Sequence, residues 1–310
     1  MKILGIGNAI VDVICKVEDS FLQENSLTKS TMKLVDGNEL NRLLSNLKIE
    51  ETVSGGSVAN SIVGLSQLGN KVGFIGKVSD DDFGRKYEEG LEKENIQYFY
   101  KKKKESLPTG TCLILVTPDS ERTMITFLGT AGKIHGDDID LNAVKKSEIL
   151  FLEGYLWDEG APKEAFDKAI NNANKVAMSL SDLFCVERHK NSFLNLVKNK
   201  LDITFANQQE IMSLLGTNQF EEVIDFAKKT GRLILITRGE KGSLAIKGDE
   251  VLECYAEKNL KIVDLTGAGD LFAGGFLHGY INGKSIKESL KKGTEMSSKV
   301  IQIIGARLNR

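Results

Sequence analysis

The sequence is poor in cysteine, proline and histidine, and none of these residues is clustered. It has 310 residues, among them four cysteines, three prolines and three histidines. Without a C-x-x-C pair or closely spaced histidines, a disulfide framework and the usual zinc sites are excluded. We therefore expect reduced cysteines, packed mostly as small apolar residues, in a reducing compartment.

The chain also lacks an excess of charge of one sign and a long apolar run. Lys and Arg total 41 against 43 for Asp and Glu, a net charge of -2, so neither nucleic acid nor a membrane surface is an expected partner. No apolar run approaches the ~18–20 residues of a spanning helix. Asn8 and Asp12 interrupt the apolar N-terminus, which predicts a buried strand rather than a signal peptide. We expect a cytoplasmic protein, monomeric or homodimeric.

Short apolar runs alternate with helical segments along most of the chain. This alternation predicts one domain over residues 1–310, an α/β fold with a doubly wound, mainly parallel sheet and helices on both faces. Strand-like segments without helices between them, within residues 11–37 and 96–118, predict a small β-sheet inserted as a lid. The strands predicted for the large sheet are residues 3–7, 72–78, 149–152, 175–180, 202–206 and 233–237. The strands predicted for the lid are residues 11–18, 31–36, 96–104 and 109–117.

The segment 264–270, with the sequence Asp-Leu-Thr-Gly-Ala-Gly-Asp, carries the strongest functional signal. A strand predicted over residues 259–264 leads through Gly267 and Gly269 into a helix. Unpaired amides in the first turn of a helix, together with its positive dipole end, bind anions such as phosphate. The alternative for the same residues is a tight turn with Asp270 as an N-cap.

Asp270 lies just inside the positive end of that helix, where the dipole is expected to lower its pKa and keep it ionised. Such a carboxylate can take the proton of an alcohol whose oxygen attacks phosphorus. The amides of Ala268, Gly269 and Asp270 would stabilise the charge that develops on the transferring oxygens. The segment therefore predicts phosphoryl transfer to an alcohol, with Asp270 as the base.

Two further segments offer polar groups to an acceptor that carries hydroxyls. Gly55 and Gly56 open a predicted helix and place Asn60 on its first turn, able to hydrogen-bond a hydroxyl. Asp12 follows Asn8 in an otherwise apolar stretch, and a buried carboxylate without partners is costly, so a vicinal diol is a suitable ligand. The alternatives are an ordinary helix start for the first segment and a local turn or N-cap bond for the second.

Two segments that follow predicted strands suit a nucleotide. Asn207 and Glu210 lie at i, i+3 on one helix face, where they can hold the water shell of Mg²⁺ or form a capping box, and both interpretations stay open. The turn 237–242 is rich in phosphate-compatible groups, although an ordinary exposed hairpin accounts for it equally well.

Together these segments resemble the ribokinase/PfkB-like carbohydrate kinase family. Residues 54–84 resemble its N-terminal signature, 264–270 its C-terminal signature and 207–210 its N-x-x-E element, in the family's order. The resemblance covers nearly the whole chain and implies an ATP-dependent kinase with a ribokinase-like fold and a small β lid. It also implies Mg²⁺ as a cofactor and a nucleoside or sugar as the substrate.

The resemblance assigns a role to the residues of each segment. The implied catalytic residues are Asp270 as the base and, as an anion hole, Gly267, Ala268 and Gly269. The implied metal-binding residues are Asn207 and Glu210 for Mg²⁺ and, since some members bind K⁺, Asp264 and Thr266. The implied ATP-binding residues are Thr237, Arg238, Gly239, Gly242 and Asn207. The implied acceptor-binding residues are Asn8, Asp12, Gly55, Gly56, Asn60, Glu153 and Phe184.

Within the family, the sequence is most similar to the adenosine kinase branch. This implies transfer to adenosine, with Phe184 lining the base pocket and Arg122 near the phosphates. Glu153 departs from the branch, because several ribose kinases carry a glutamate near there. A sugar kinase acting on ribose, fructose or a keto-sugar acid is therefore the alternative. The segments that resemble the branch are residues 5–12, 21–27, 121–124 and 179–184.

Two other classes of protein fit the sequence less well. A dinucleotide-dependent oxidoreductase would need a third glycine where Ile10 stands, after Gly5 and Gly7. A non-catalytic nucleotide-binding protein would be expected to lack the acidic base, whereas Asp270 is present.

Overall fold

The strands form where the sequence has short apolar runs, and the central ones are buried on both faces. The computed structural model describes residues 1–119, 121–157 and 160–308. In chain order the strands are β1 (Ile3–Ile6), β2 (Ile10–Lys16), β3 (Met32–Leu34), β4 (Glu51–Gly55), β5 (Val72–Ile75), β6 (Gln97–Tyr98), β7 (Gly110–Val116), β8 (Arg122–Phe127), β9 (Ile149–Glu153), β10 (Val176–Ser179), β11 (Ile203–Asn207), β12 (Leu233–Thr237), β13 (Ser243–Lys247) and β14 (Glu250–Cys254).

The larger sheet has the strand order β14-β13-β12-β11-β10-β9-β1-β5-β6. From β12 through β6 each strand runs parallel to its neighbour, and the last two strands, β13 and β14, add an antiparallel edge. The predicted doubly wound, mainly parallel sheet is thereby confirmed. In such a sheet the carboxyl ends of the parallel strands meet at one edge, where ligands bind.

The smaller sheet has the strand order β3-β8-β7-β2-β4, which confirms the predicted second sheet. Its composition differs from the prediction at one strand. Residues 97–98, within the predicted lid strand 96–104, pair with β5 at the edge of the larger sheet. The reason is that β5, the helix after it and β6 form a βαβ unit, so the chain returns to the same sheet. Strands β4 and β8, which were not predicted, complete the lid.

Helices connect the parallel strands and cover the larger sheet on both faces. Several begin at an acidic N-cap whose carboxylate accepts from the first-turn amides, as at Asp36, Asp81 and Asp140. In chain order they are α1 (Asp19–Glu24), α2 (Gly37–Leu44), α3 (Ser57–Gln67), α4 (Asp82–Lys93), α5 (Leu141–Lys146), α6 (Ala161–Ile170), α7 (Leu183–Asn199), α8 (Gln208–Leu215), α9 (Phe220–Thr230), α10 (Ala268–Ile281) and α11 (Ile286–Val300).

The hydrophobic core lies on both sides of the larger sheet, because successive side chains of a strand point to opposite faces. Ile3 of β1 packs in one cluster with Phe276 of α10, and Leu4 packs in the other with Phe166 of α6. Within the part of the chain that the structure describes, no helix is long and apolar enough to cross a membrane.

Residues 259–264 form an irregular segment, so the prediction of a strand there is wrong. The amides of Val263 and Asp264 donate to the carbonyl of Ile301, over 2.8 and 3.2 Å. The backbone therefore pairs with Ile301 instead of with a strand. Residues 301–308 are called the C-terminal segment below. A short apolar run does not reveal which part of the chain will face it, and here the partner lies far along the sequence.

Candidate active site

The start of helix α10 lies where the sequence predicts an anion hole. Gly267 is its N-cap, with a φ of 78°, a left-handed conformation that favours glycine. The amides of Gly269 and Asp270 donate to no acceptor among the described residues, whereas the amide of Ala268 donates to the carbonyl of Leu265 over 3.2 Å. Two of the three predicted amides are thus available to donate a hydrogen bond to a ligand, whereas that of Ala268 already donates within the protein.

The carboxylate of Asp270 is held by the first turn of helix α3. Its Oδ1 accepts from the hydroxyl of Ser57 at 2.6 Å, and its Oδ2 accepts from Nδ2 of Asn60 at 3.0 Å. The hydroxyl of Ser61 donates to the backbone carbonyl of Asp270 at 2.8 Å. The two glycine-containing segments of the sequence therefore meet at this carboxylate. Asn60, predicted to bind the acceptor, donates to the predicted base.

Burial raises the pKa of Asp270 to about 6, against the opposing effects of the hydrogen bonds from Ser57 and Asn60 and of the charge of Arg307. The expectation that this pKa lies below its usual value is therefore wrong. Asp270 lies in the first turn of α10, where the helix dipole favours the ionised form, but the cost of removing the carboxylate from water exceeds that contribution. With this pKa the side chain is still mostly ionised at neutral pH, as a general base must be.

Asp12 brings a second carboxylate to the site from strand β2 of the lid. It lies close to Gly55, where a Cβ atom would be only 2.4 Å from its Oδ2, so a larger residue at position 55 would displace this carboxylate. Among the described residues no group donates a hydrogen bond to this carboxylate. Burial raises the pKa of Asp12 to about 7, although the charges of Arg307 and Arg122 oppose the rise. A carboxylate in such a position suits a ligand that brings its own hydroxyl donors.

Glu153 and Asn8 lie beneath the site instead of lining it. Glu153 is only 1% exposed. Its Oε1 accepts from the amide and the Nδ2 of Asn8 at 2.9 and 3.0 Å, and its Oε2 accepts from the amide of Val58 at 2.8 Å. Burial raises the pKa of Glu153 to about 7. By accepting from Val58, Glu153 holds the start of helix α3, which is N-capped by Gly56. The Oδ1 of Asn8 is buried and has no partner among the described residues, and contact of these two side chains with the acceptor stays a prediction.

The C-terminal segment reaches the site, which the sequence analysis did not anticipate. A Cβ atom on Gly267 would lie 2.6 Å from the Cα of Ala306, so this segment packs directly on the N-cap of α10. Nε of Arg307 donates to Oδ1 of Asn60 at 3.0 Å. The residues Gly-Ala-Arg carry no recognisable local pattern, and only the fold brings them next to residues more than 200 positions earlier.

Asp264 is surrounded by donors from three parts of the chain. Its Oδ1 accepts from the amide and the hydroxyl of Thr266, at 2.9 and 2.6 Å. Its Oδ2 accepts from the amide of Gly305 at 2.8 Å and lies 3.3 Å from Nη1 of Arg122, a lid residue. Burial acts to raise the pKa of Asp264, but these hydrogen bonds and the charge of Arg122 hold it below its usual value. Because three hydrogen bonds and the ion pair with Arg122 already engage this carboxylate, it does not fit a direct K⁺ ligand.

Asn207 and Glu210 form the capping box at the start of helix α8. The amide of Glu210 donates to Oδ1 of Asn207 at 2.8 Å, and the amide of Asn207 donates back to Glu210 at 3.0 Å. Burial raises the pKa of Glu210 to about 7. The described residues contain no cluster of acidic, histidine and cysteine side chains that could enclose a metal ion. The pair thus fits Mg²⁺ only through its water shell, with most of the ligation left to phosphates.

The predicted ATP-binding turn follows strand β12, beside the capping box, since Thr237 and Asn207 are paired in register. Residues Gly239–Lys241 form a 3₁₀ turn that leads through Gly242 into β13. The guanidinium of Arg238 is already engaged, because it pairs with Glu253 and donates to the carbonyl of Lys241 at 3.3 Å. This arrangement places backbone groups of the turn at the carboxyl edge of the sheet.

Phe184 lies on the first turn of helix α7, at the same edge, and is 48% exposed. The guanidinium of Arg188 lies over its ring at 5.6 Å. Tyr155, which the sequence analysis did not single out, is also exposed, and its hydroxyl donates to the carbonyl of Ser181 at 3.3 Å. Both rings follow strands of the larger sheet, so they offer apolar surface at the ligand-binding edge.

Comparison with known proteins agrees with this architecture. A sequence model described as pfkB family carbohydrate kinase matches residues 2–310. A probable sugar kinase of Rhizobium etli CFN 42 is 37% identical, with a TM-score of 0.90 over 100% of this chain and 95% of that one. The adenosine kinase of Sinorhizobium meliloti is 36% identical, with a TM-score of 0.90 over 100% and 96%. A 5-dehydro-2-deoxygluconokinase of Listeria innocua is 28% identical over 85% of this chain and 86% of its own.

Proposed function

The chain belongs to the pfkB family of carbohydrate kinases, and we propose that it transfers the γ-phosphoryl group of ATP to the 5′-hydroxyl of adenosine. One observation carries the choice of adenosine: the similarity to the adenosine kinase of Sinorhizobium meliloti, which is 36% identical over the whole of this chain. The two proteins also share the fold over this length, with a TM-score of 0.90. The products of the proposed reaction are AMP and ADP.

Asp270 acts as the general base in the proposed reaction. Its carboxylate takes the proton of the 5′-hydroxyl as the oxygen forms a bond to the γ-phosphorus and the bond from phosphorus to the bridging oxygen breaks. The hydrogen bonds from Ser57 and Asn60 leave each oxygen a further lone pair to accept that proton. They also fix the rotamer of the carboxylate, so the base is positioned before the acceptor arrives.

Negative charge that develops on the oxygens of the transferring phosphoryl group needs hydrogen-bond donors. The amides of Gly269 and Asp270 and the positive end of helix α10 are proposed to supply them. Arg122 offers another donor, because its Nη2 is buried and has no partner among the described residues. Mg²⁺ bound to the nucleotide would neutralise phosphate charge, and Asn207 and Glu210 are the residues proposed to face its water shell.

The acceptor is proposed to lie between the lid and the carboxyl edge of the larger sheet. Asp12 would accept hydrogen bonds from the ribose hydroxyls, which would satisfy a carboxylate that no described residue supplies with a donor. Phe184 and Tyr155 would pack against the base, since both rings are exposed at this edge.

A sugar kinase is the second candidate, because the curated relatives include a 5-dehydro-2-deoxygluconokinase that is 28% identical. Glu153, which favoured a sugar in the sequence analysis, is buried and bonded to Asn8 and Val58, so it gives no further argument for a free sugar.

The test is an ADP-release assay with Mg-ATP and adenosine, ribose, fructose or 5-dehydro-2-deoxygluconate as acceptor. We expect kcat/KM for adenosine to exceed that for each sugar by about 100-fold or more. The Asp270→Asn variant corrects for ADP released without transfer, and ³¹P NMR of the product identifies the 5′-monophosphate. Turnover of one of the sugars with adenosine left unchanged would overturn the proposal.

A further inference from the structure

Arg307 and Asp270 are joined through a single side chain, that of Asn60. Nε of Arg307 donates to Oδ1 of Asn60 at 3.0 Å, and Nδ2 of Asn60 donates to Oδ2 of Asp270 at 3.0 Å. A guanidinium can only donate, and an ionised carboxylate can only accept. The amide of Asn60 is therefore held in one orientation, with its oxygen toward Arg307 and its NH₂ toward the base.

The position of Arg307 is fixed by the packing of the C-terminal segment. Ala306 lies against Gly267, and the amide of Gly305 donates to Asp264 at 2.8 Å, so the residues just before Arg307 are tied to the start of helix α10. The guanidinium is buried, and its Nη2 has no partner among the described residues. Burying a charged group in this way is costly unless nearby carboxylates compensate.

The charged and titratable groups around Asp270 come from several elements. Asp12 of β2 and Glu153 of β9 interact electrostatically with Asp270, and a negative charge on either carboxylate opposes its ionisation. Tyr155, after β9, also interacts with Asp270, but burial raises the pKa of Tyr155 and its hydroxyl is neutral where Asp270 titrates. Arg307 is the cation that acts in the other direction. Its removal would leave a cluster of carboxylates with less compensating charge.

We propose that Arg307 is a positioning residue for phosphoryl transfer, which orients the amide of Asn60 toward Asp270 and keeps that carboxylate ionised at neutral pH. This inference rests on the proposed role of Asp270 as the base, but not on adenosine as the acceptor. The guanidinium acts on the reaction through Asn60 and through its charge, without contact to the reacting atoms.

The experiment uses the full chain with Arg307→Met, which removes the charge and the donors, and Arg307→Lys, which keeps the charge. The matched control is Arg232→Met, because Arg232 pairs with Asp202 at the opposite, amino-terminal ends of strands β11 and β12. For each protein we would measure kcat and KM for ATP and for the acceptor that the wild type uses, the pH dependence of kcat/KM, and the thermal unfolding midpoint.

For Arg307→Met we expect kcat to fall about 10- to 100-fold, a part of what a general base contributes, with KM for ATP nearly unchanged. The acid limb of the pH profile, where kcat/KM falls as the pH is lowered, should move up by about one pH unit, since a cation that favours the ionised carboxylate is gone. Arg307→Lys should keep the acid limb near its wild-type position and recover part of kcat. Arg232→Met should leave kcat, KM and the acid limb at their wild-type values.

A double-mutant cycle with Asn60→Ala tests whether Arg307 acts through that amide. If it does, Arg307→Met should lower kcat much less in the Asn60→Ala background than in the wild type.

The proposal is overturned if Arg307→Met leaves the acid limb unchanged and the Met and Lys variants lose equal amounts of kcat and of thermal stability. Arg307 would then have only a structural role. Higher activity in Arg307→Met would show that the guanidinium obstructs the site. If the wild type phosphorylates a sugar and not adenosine, the proposed function fails, while the same variants test Arg307 with that sugar.

Discussion

The two helix starts at the site, those of α3 and α10, differ in what their polar groups contact. Each follows a glycine-containing segment, and each was predicted to contact a ligand directly. At α10 the amides of Gly269 and Asp270 stay open. At α3 the side chains of Ser57 and Asn60 donate to Asp270, and the amide of Val58 donates to Glu153. The start of α10 thus has amides free to bind a ligand, whereas the start of α3 positions the carboxylate of Asp270.

The largest effect is expected from Asp270→Asn, which keeps the size of the side chain and removes the base. We expect kcat to fall by about 10³-fold or more, because proton removal from the acceptor is lost. Binding of ATP, measured by calorimetry, should change only a few-fold, since the amides of α10 remain. Turnover within tenfold of the wild type would contradict the assignment of Asp270 as the base.

Gly267→Ala tests whether the start of α10 needs the C-terminal segment packed on it. The new Cβ would lie 2.6 Å from the Cα of Ala306 at a φ of 78°, so we expect the segment to move and kcat to fall about 100-fold. The matched control is Gly283→Ala, where φ is 73° and no atom lies within 4 Å of the new Cβ. The control should cost about 1 kcal/mol of stability in chemical denaturation and leave kcat unchanged. Equal kcat losses in both variants would disprove the role of this packing.

The pH dependence of the wild type should reveal the raised pKa of Asp270. With a pKa of about 6, kcat/KM should fall about tenfold as the pH is lowered from 7 to 5, because the carboxylate becomes protonated.

Ser57→Ala sharpens that measurement, since the hydrogen bond from Ser57 lowers this pKa and its loss should move the acid limb to higher pH. Ser66→Ala, at the far end of the same helix, is the control, because its hydroxyl donates to the carbonyl of Glu94. If the acid limb of Ser57→Ala stays at its wild-type position, the hydrogen bond from α3 does not influence the pKa of the base.

The smallest effect is expected from exchanging monovalent cations. Three hydrogen bonds and the ion pair with Arg122 already engage the carboxylate of Asp264, so replacing K⁺ by Na⁺ should change kcat less than about twofold. The exchange is made at constant ionic strength in the ADP-release assay. Stimulation by K⁺ of tenfold or more would mean that a cation replaces Arg122 at this carboxylate.

Much of the fold and the centre of the site follow from local patterns in the sequence. The apolar runs predicted most strands of the larger sheet, and Gly267, Gly269 and Asp270 predicted a helix start with a carboxylate at its positive end. The capping box of Asn207 and Glu210 was one of two interpretations of an i, i+3 spacing, and it is present. These features depend on residues a few positions apart, which is why they can be recognised without coordinates.

The predictions that failed depend on contacts between distant parts of the chain. The sequence alone determined the periodicity, the glycine turns and the presence of a carboxylate at the start of α10. Only the tertiary structure decided that Glu153 accepts hydrogen bonds from Asn8 and Val58. It also decided that Asn60 donates to Asp270 and accepts from Arg307. It also decided the direction of the pKa shift of Asp270, because burial depends on everything that packs around a group, whereas a helix dipole belongs to the helix itself.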